Sequence, residues 1–188
     1  MLAEKINVIT EKEYLEIERA SKIRHEYHDG EIFSMAGASG NHNLIISNII
    51  RELGNQLRKT PCRVFPSDMK LRVEEINSFV YPDIMIVCGE IKFFDNNCDV
   101  LLDADLIIEV LSDSTESYDR GKKFSYYRQL KSFKEYLLIS QKERRIQSFF
   151  KNEKAYWQFS EANDKQDEII LESIGCKLKL DDVYDKLI

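Results

Sequence analysis

Two carboxylates stand where a carboxylate is costly. Asp83 follows Tyr81-Pro82 at the head of the apolar run Ile84-Met85-Ile86-Val87, and Glu109 lies inside Leu106-Ile107-Ile108-Glu109-Val110-Leu111. An ionised carboxylate in such surroundings is unfavourable by several kcal/mol unless it is paired or coordinates a cation, and it otherwise rises in pKa. Two carboxylate oxygens on neighbouring strands, completed by a backbone carbonyl and water, form the oxygen-rich, incomplete site that Mg²⁺ favours. Such an ion activates water and neutralises charge on a phosphodiester under attack. The pair therefore points to metal-assisted hydrolysis. The plainer alternatives are a turn or cap role for Asp83 and a buried salt bridge for Glu109.

The elements that must hold these residues follow from spacing. Thr10 and Glu13 have capping-box spacing, which starts a helix running to about Ser21. Within residues 26–36, Asp29-Gly30 separates two short extended runs and predicts a β-hairpin. Apolar residues at Ile45, Ile49, Leu53 and Leu57, with Ile46 and Ile50 beside them, put one stripe on a helix over residues 41–59. Residues 63–65, 69–73 and 80–87 predict three strands, separated by the turn formers Pro66-Ser67 and Asn77-Ser78. Residues 104–111 are nearly all apolar, as in a strand buried on both faces of a sheet.

Phe124, Tyr127 and Leu130 recur at helical spacing over residues 117–131, and that helix leads into a strand at 135–140. Strand, helix and strand suggest a crossover unit. Residues 144–180 form short alternating strands (RIQSFF, AYWQF, EIILES) before a small helix from about Asp181. No repeat, linker or compositional break divides the chain, so residues 1–188 are expected to form one mixed α/β domain of the α+β kind.

Composition narrows the function classes. The 188 residues are 43% hydrophobic and 32% charged with only 7 Gly and 3 Pro, which supports a buried core and excludes collagen-like, low-complexity and disordered classes. A net charge of -6 excludes a protein that coats nucleic acid by bulk positive charge. Any phosphate contact is therefore local, and two basic spans offer one: Arg51 through Arg72, and Arg120 through Lys134. Residues 1–10 are too short and charged for a signal peptide, and no later run is long enough to cross a bilayer, so no membrane role and a cytoplasmic location are expected. Cys62, Cys88, Cys98 and Cys176 are far apart, lack a CxxC pair and are expected as small apolar residues without a role.

The order of these elements, with Pro82-Asp83, Glu109-Val-Leu-Ser112, Asp119-Arg-Gly-Lys-Lys-Phe-Ser-Tyr-Tyr127 and Glu135-Tyr-Leu-Leu-Ile139, resembles the Uma2 (DUF820) family of restriction-endonuclease-like proteins, in the PD-(D/E)xK nuclease superfamily. The resemblance covers roughly residues 12–139. It implies a mixed central β-sheet flanked by helices and a Mg²⁺-dependent phosphodiesterase-type site, with Mn²⁺ able to substitute. By position, Asp83 is the Pro-Asp acid, Glu109 the second metal ligand and the Val110 main-chain carbonyl a third. The lysine that the superfamily places two residues after the Glu is replaced by Leu111. In the family a lysine on the following helix takes its part, which corresponds to Lys123, with Tyr127 one turn later and Lys122 turned elsewhere. Glu26, before the hairpin turn, corresponds to a further acid that binds the metal through water or accepts a proton. Asp68 is another candidate for the same rim. His42 is read first as a cap of the long helix and Trp157 as a packing residue.

The resemblance thus implies a Mg²⁺-dependent endonuclease acting on DNA, with a homodimer expected if both strands are cut. A nuclease-fold module that binds nucleic acid or protein without cutting is the alternative, motivated by the missing strand lysine and the acidic charge.

Overall fold

The capping box forms as its spacing predicts. Thr10 Oγ1 accepts from the Glu13 N–H at 3.3 Å while the Glu13 carboxylate accepts from the Thr10 N–H at 2.8 Å, opening helix α1 (Glu11–Ala20). The computed structural model describes residues 8–35, 37–165 and 167–188. The hairpin of β1 (His25–His28) and β2 (Glu31–Ser34) turns on Asp29 and Gly30, at φ of 45° and 94°. Two successive left-handed residues are what the tight hairpin turn requires. Helix α2 (Gly40–Leu57) starts at Ser39, whose Oγ accepts from the His42 N–H at 3.1 Å, and buries Ile45, Ile49, Leu53 and Leu57. Ser39, not His42, is therefore the cap.

Strands β3 (Cys62–Pro66), β4 (Lys70–Val73), β5 (Ser78–Val80), β6 (Ile84–Cys88), β7 (Val100–Leu101) and β8 (Leu106–Leu111) follow. The single strand expected over residues 80–87 is thus two strands in two different sheets. The break falls at Tyr81-Pro82-Asp83, because Pro82 has no N–H for a ladder. The helical segment is also shorter than its periodicity suggests. It consists of α3 (Glu116–Tyr118), a wider helical turn Asp119–Lys123 and α4 (Phe124–Tyr127). Wide turns of this kind re-aim the side chains around them. The chain ends with β9 (Glu135–Ser140), β10 (Ile146–Lys151), β11 (Trp157–Ala162), β12 (Glu168–Leu171), β13 (Cys176–Lys179) and α5 (Leu180–Val183).

Six strands form the main sheet in the order β11-β10-β9-β8-β6-β3, and β2-β1-β5-β4-β7 form a second sheet. Strand β8 runs parallel to β9 and antiparallel to β6, so the sheet is mixed and the β8–β9 connection is the expected crossover. Both of its faces are covered. Ile84, Ile86, Leu106, Ile108, Leu137 and Ile139 pack toward α2, while Met85, Val87, Ile107, Leu111, Tyr136 and Leu138 pack with Tyr127, Leu130 and Phe133 and with the second sheet. Trp157 lies among these rings, 5.6 Å from Phe133 and 5.1 Å from Phe124. No helix among the described residues is long and apolar enough to cross a membrane.

The cysteine expectation needs correction. Cys62 and Cys88 stand directly opposite each other where β3 and β6 pair, and they form a disulfide; Cys98 is exposed and Cys176 buried. Separated by 26 residues, the pair is revealed only by the strand register. The closed loop makes the bond worth about 3–4 kcal/mol in the chain-entropy account. Replacing both cysteines by serine should lower the urea-unfolding free energy by about that amount; an unchanged value under oxidising conditions would show that the bond adds nothing.

At the other side of the fold, Arg19 of α1 and Lys70 of β4 both bind Asp99, at 2.7 and 2.9 Å. The Arg19 hydrogen bond, followed by Lys70, pulls the Asp99 carboxyl down from 3.8 to about 2 against the effect of burial. With its folded-state value depressed, Asp99 contributes stability that is present above its ordinary value and lost as pH falls through about 2. Stability measured from pH 5 to pH 2 should therefore fall less steeply in Asp99→Asn than in the parent protein; identical slopes would count against the pairing.

Candidate active site

Glu109 lies in the central part of the main sheet and is only 2% exposed. Alternation along β8 sends Leu106, Ile108 and Val110 toward α2, and Ile107, Glu109 and Leu111 toward the α3–α4 segment. Three donors meet the Glu109 carboxylate there. Tyr127 Oη donates to Oε1 at 2.7 Å, Lys123 Nζ donates to the same oxygen at 3.1 Å, and the Asp83 N–H donates to Oε2 at 3.2 Å. Asp83 answers through Oδ2, which accepts from the Val110 N–H at 2.8 Å and lies 3.1 Å from His42 Nε2. The two acids are thus locked side by side by reciprocal bonds across the end of β6.

Pro82 makes this possible. The register pairing Ile84 with Ile108 sets Val110 opposite Pro82, which has no N–H to give to the Val110 carbonyl. The N–H groups flanking Pro82 go to carboxylates: that of Asp83 to Glu109, and that of Tyr81 to Glu26 Oε1 at 3.1 Å. Glu26 comes from β1 in the second sheet, so the cluster draws residues from both sides of the seam.

Lys123 is the cationic centre. Its ammonium lies 3.1 Å from Glu109, 3.5 Å from Glu26 and 3.6 Å from Asp119. Burial works against the charge, yet Glu109, Glu26 and Asp119 together lift the Lys123 pKa well above its usual value. Lys123 therefore remains an ammonium and does not accept a proton. Burial, aided by Asp83 and Asp119, pushes the Glu109 carboxyl well above the carboxylate range, against the pull of Lys123 and Tyr127. Burial likewise raises Asp119, whose Oδ1 has no hydrogen-bond partner among the described residues. Asp119 was not singled out by its sequence, although its i,i+4 spacing to Lys123 was a usable signal. His42 was likewise undervalued. Its backbone N–H meets Ser39, which frees the ring for Asp83, and its Nδ1 is buried without a partner among the described residues.

The cluster opens into a cleft of about 770 Å³. Glu26, Asp83, Glu109, Val110 and Lys123 line it; Tyr127 lies beneath, and Asp68 stands outside with its side chain 88% exposed and paired to Arg24 at 3.1 Å. Lys122, expected to turn away, also lines the cleft, with its ammonium 5.7 Å from the Tyr126 ring centre. Much of the remaining basic charge is held within the protein: Lys70 by Asp99, Arg72 by Glu11, Arg120 by Glu116 and Lys134 by Asp105. Both basic spans therefore offer less to a phosphate than their charge counts suggest.

The donor set suits a hard divalent cation. Three carboxyl groups, those of Glu26, Glu109 and Asp119, surround one ammonium and Asp83 adjoins Glu109, so the fully ionised cluster is three positive charges short of neutral. No three His, Cys, Asp or Glu side chains among the described residues converge as a ready-made cage. Mg²⁺ does not need one, since it is commonly held by one or two carboxylates and keeps several waters.

A mixed sheet carrying an acid at the head of one central strand and a glutamate inside the next is a restriction-endonuclease-like nuclease fold. The family model of Uma2, described as "Putative restriction endonuclease", matches residues 11–181, and the chain belongs to that family. Two uncharacterized Synechocystis proteins are similar: sll1609 is 36% identical over 90% of this chain and 96% of its own length, and slr1290 is 32% identical over 94% and 91%. A crystal structure of a "putative nuclease belonging to DUF820" from Anabaena variabilis has the same fold, with a TM-score of 0.75 at 17% identity over 94% of this chain and 97% of that one.

The charge arrangement gives Lys123 a part in stability. Lys123→Met removes the ammonium from buried carboxylates and should cost about 3–5 kcal/mol of stability in urea denaturation; a loss below about 1 kcal/mol would show that the carboxylates are neutral without it.

Proposed function

We propose that the protein is a Mg²⁺-dependent endonuclease that hydrolyses phosphodiester bonds of DNA, with Mn²⁺ able to replace Mg²⁺. The observation that carries this reading is the reciprocal pairing of Asp83 and Glu109 on the cleft floor, beside a buried lysine. Asp83, Glu109 and the Val110 carbonyl would hold the ion. When bound, it supplies charge neutralisation at the phosphate and lowers the pKa of a coordinated water.

The protein's own groups supply the rest. Glu26 Oε1 is engaged by the Tyr81 N–H, which leaves Oε2 to accept the proton of the attacking water. The water oxygen bonds to phosphorus as the phosphorus bond to the leaving ester oxygen breaks, and that oxygen takes up a proton from solvent water. Lys123, fixed as an ammonium, stabilises negative charge gathering on the phosphoryl oxygens. Tyr127 and the Asp83 N–H hold Glu109 in one orientation. The missing strand lysine is thereby replaced from the neighbouring helical segment. Cutting both strands of a duplex requires two such sites, which a two-fold dimer supplies.

The competing reading is a binding module that does not cut, favoured by the engagement of both Glu109 oxygens within the protein. The deciding assay incubates plasmid and duplex DNA with Mg²⁺ or Mn²⁺ and compares the parent protein with Asp83→Ala, Glu109→Ala and Lys123→Ala. The parent should cut, and each variant should be slower by about 100-fold or more. Equal cleavage by all four proteins would overturn the assignment of these residues. A parent that binds DNA without cutting it would establish the binding module.

A further inference from the structure

Beside the carboxylate cluster, the same cleft holds a second polar group that hydrolysis leaves unused. Glu26 and His28 alternate along β1 and both line the cleft, roughly 7 Å apart along the strand. His28 Nδ1 lies 2.6 Å from Ser78 Oγ, its register partner on β5, and Nε2 lies 3.1 Å from Tyr126 Oη. The imidazole and phenol rings are stacked with centroids 5.0 Å apart. Lys122 is the one lysine or arginine lining the cleft that has no acidic partner among the described residues.

A proton count shows what this group lacks. Ser78 and Tyr126 each carry one O–H and a neutral imidazole carries one N–H, but the two hydrogen bonds use only two donors. Ser78 is fully buried, and its hydroxyl has no other partner among the described residues. Its O–H must therefore point at Nδ1, since any other arrangement strands a buried donor. The ring hydrogen then sits on Nε2 and goes to Tyr126 Oη, which leaves the Tyr126 O–H over. A doubly protonated imidazole leaves that O–H over as well.

A phenolic donor and an ammonium on one ring in the cleft, neither with an acceptor or counter-ion among the described residues, suit an anionic oxygen. We propose that Tyr126 and Lys122 bind a phosphate of the DNA strand next to the phosphodiester held at the carboxylate cluster, with His28 and Ser78 as positioning residues. This rests on that reading only in placing a DNA phosphodiester at the cluster, whether or not it is cut there. It adds that the substrate is a chain of at least two phosphates and that the strand passes along β1.

The test is equilibrium binding of a fluorescently labelled duplex oligonucleotide, followed by anisotropy without divalent metal and across a salt series. Tyr126→Phe should weaken binding about tenfold, the effect of one hydrogen bond to a charged group. Lys122→Ala should reduce the slope of log K against log salt by about one. Ser78→Ala releases Nδ1 to carry the ring hydrogen and lets Tyr126 donate to Nε2, so it should weaken binding as Tyr126→Phe does. The double variant should be no weaker than either single one. Thermal unfolding verifies that each variant is folded. Parent-like affinity in folded Tyr126→Phe, or additive effects of the two substitutions, would overturn the subsite even if the parent cuts DNA. A parent that binds with these properties but does not cut would sink the cleavage reading and leave the subsite standing.

Discussion

A carboxylate in the middle of a sheet has to be matched by donors, and the arrangement around Glu109 follows from that requirement. A neighbouring strand cannot provide them through its ladder, because ladder groups point along the sheet whereas the side chain stands out from it. The donors therefore arrive from elsewhere: a phenol and an ammonium from the helical segment above, and the backbone N–H of Asp83, between Pro82 and the start of β6. Removing any of the three leaves buried charge partly unmatched. The position of the segment 116–127, the break between the sheets and the orientation of Asp83 are all tied to this one group.

The same geometry explains how a lysine can be absent from the strand and present in the site. Glu109 and Leu111 share a face of β8, so a lysine two residues after the glutamate would rise into the space occupied by the α3–α4 segment. Here Leu111 joins the apolar cluster on that face, and the segment delivers Lys123 to Glu109 from above. The wide turn Asp119–Lys123 sets acid and base facing each other and leaves Tyr127 in reach of the same carboxylate oxygen.

How much of this was legible depended on how local each cause was. The capping box at Thr10, the Asp29-Gly30 turn and the stripe on α2 depend on neighbours within a few residues, and their spacing announced them. Asp83 and Glu109 stood out because an acid in an apolar run is anomalous wherever it falls. Lys123 and Glu26 needed the family resemblance, since nothing in a lysine-rich stretch or a hairpin distinguishes them. Non-local features were hidden. The division of residues 80–87 between two sheets, the brief β7, the Cys62–Cys88 bond and the approach of His42 to Asp83 all depend on strands meeting across tens of residues. β13 escaped notice because CKLK is short and half charged, although its alternate residues Cys176 and Leu178 are buried.

The seam at Pro82 divides the cluster between two bodies of unequal size. Glu26 belongs to the five-stranded sheet, while Asp83, Glu109 and the lysine-bearing segment belong with the six-stranded one. The acid that contacts both Tyr81 and Lys123 is therefore held in the cluster by the packing of the smaller sheet on the larger one, through Leu71, Val73 and Val80 against Met85 and Ile107. The integrity of the cluster thus depends on a contact between two sheets and not on either sheet alone.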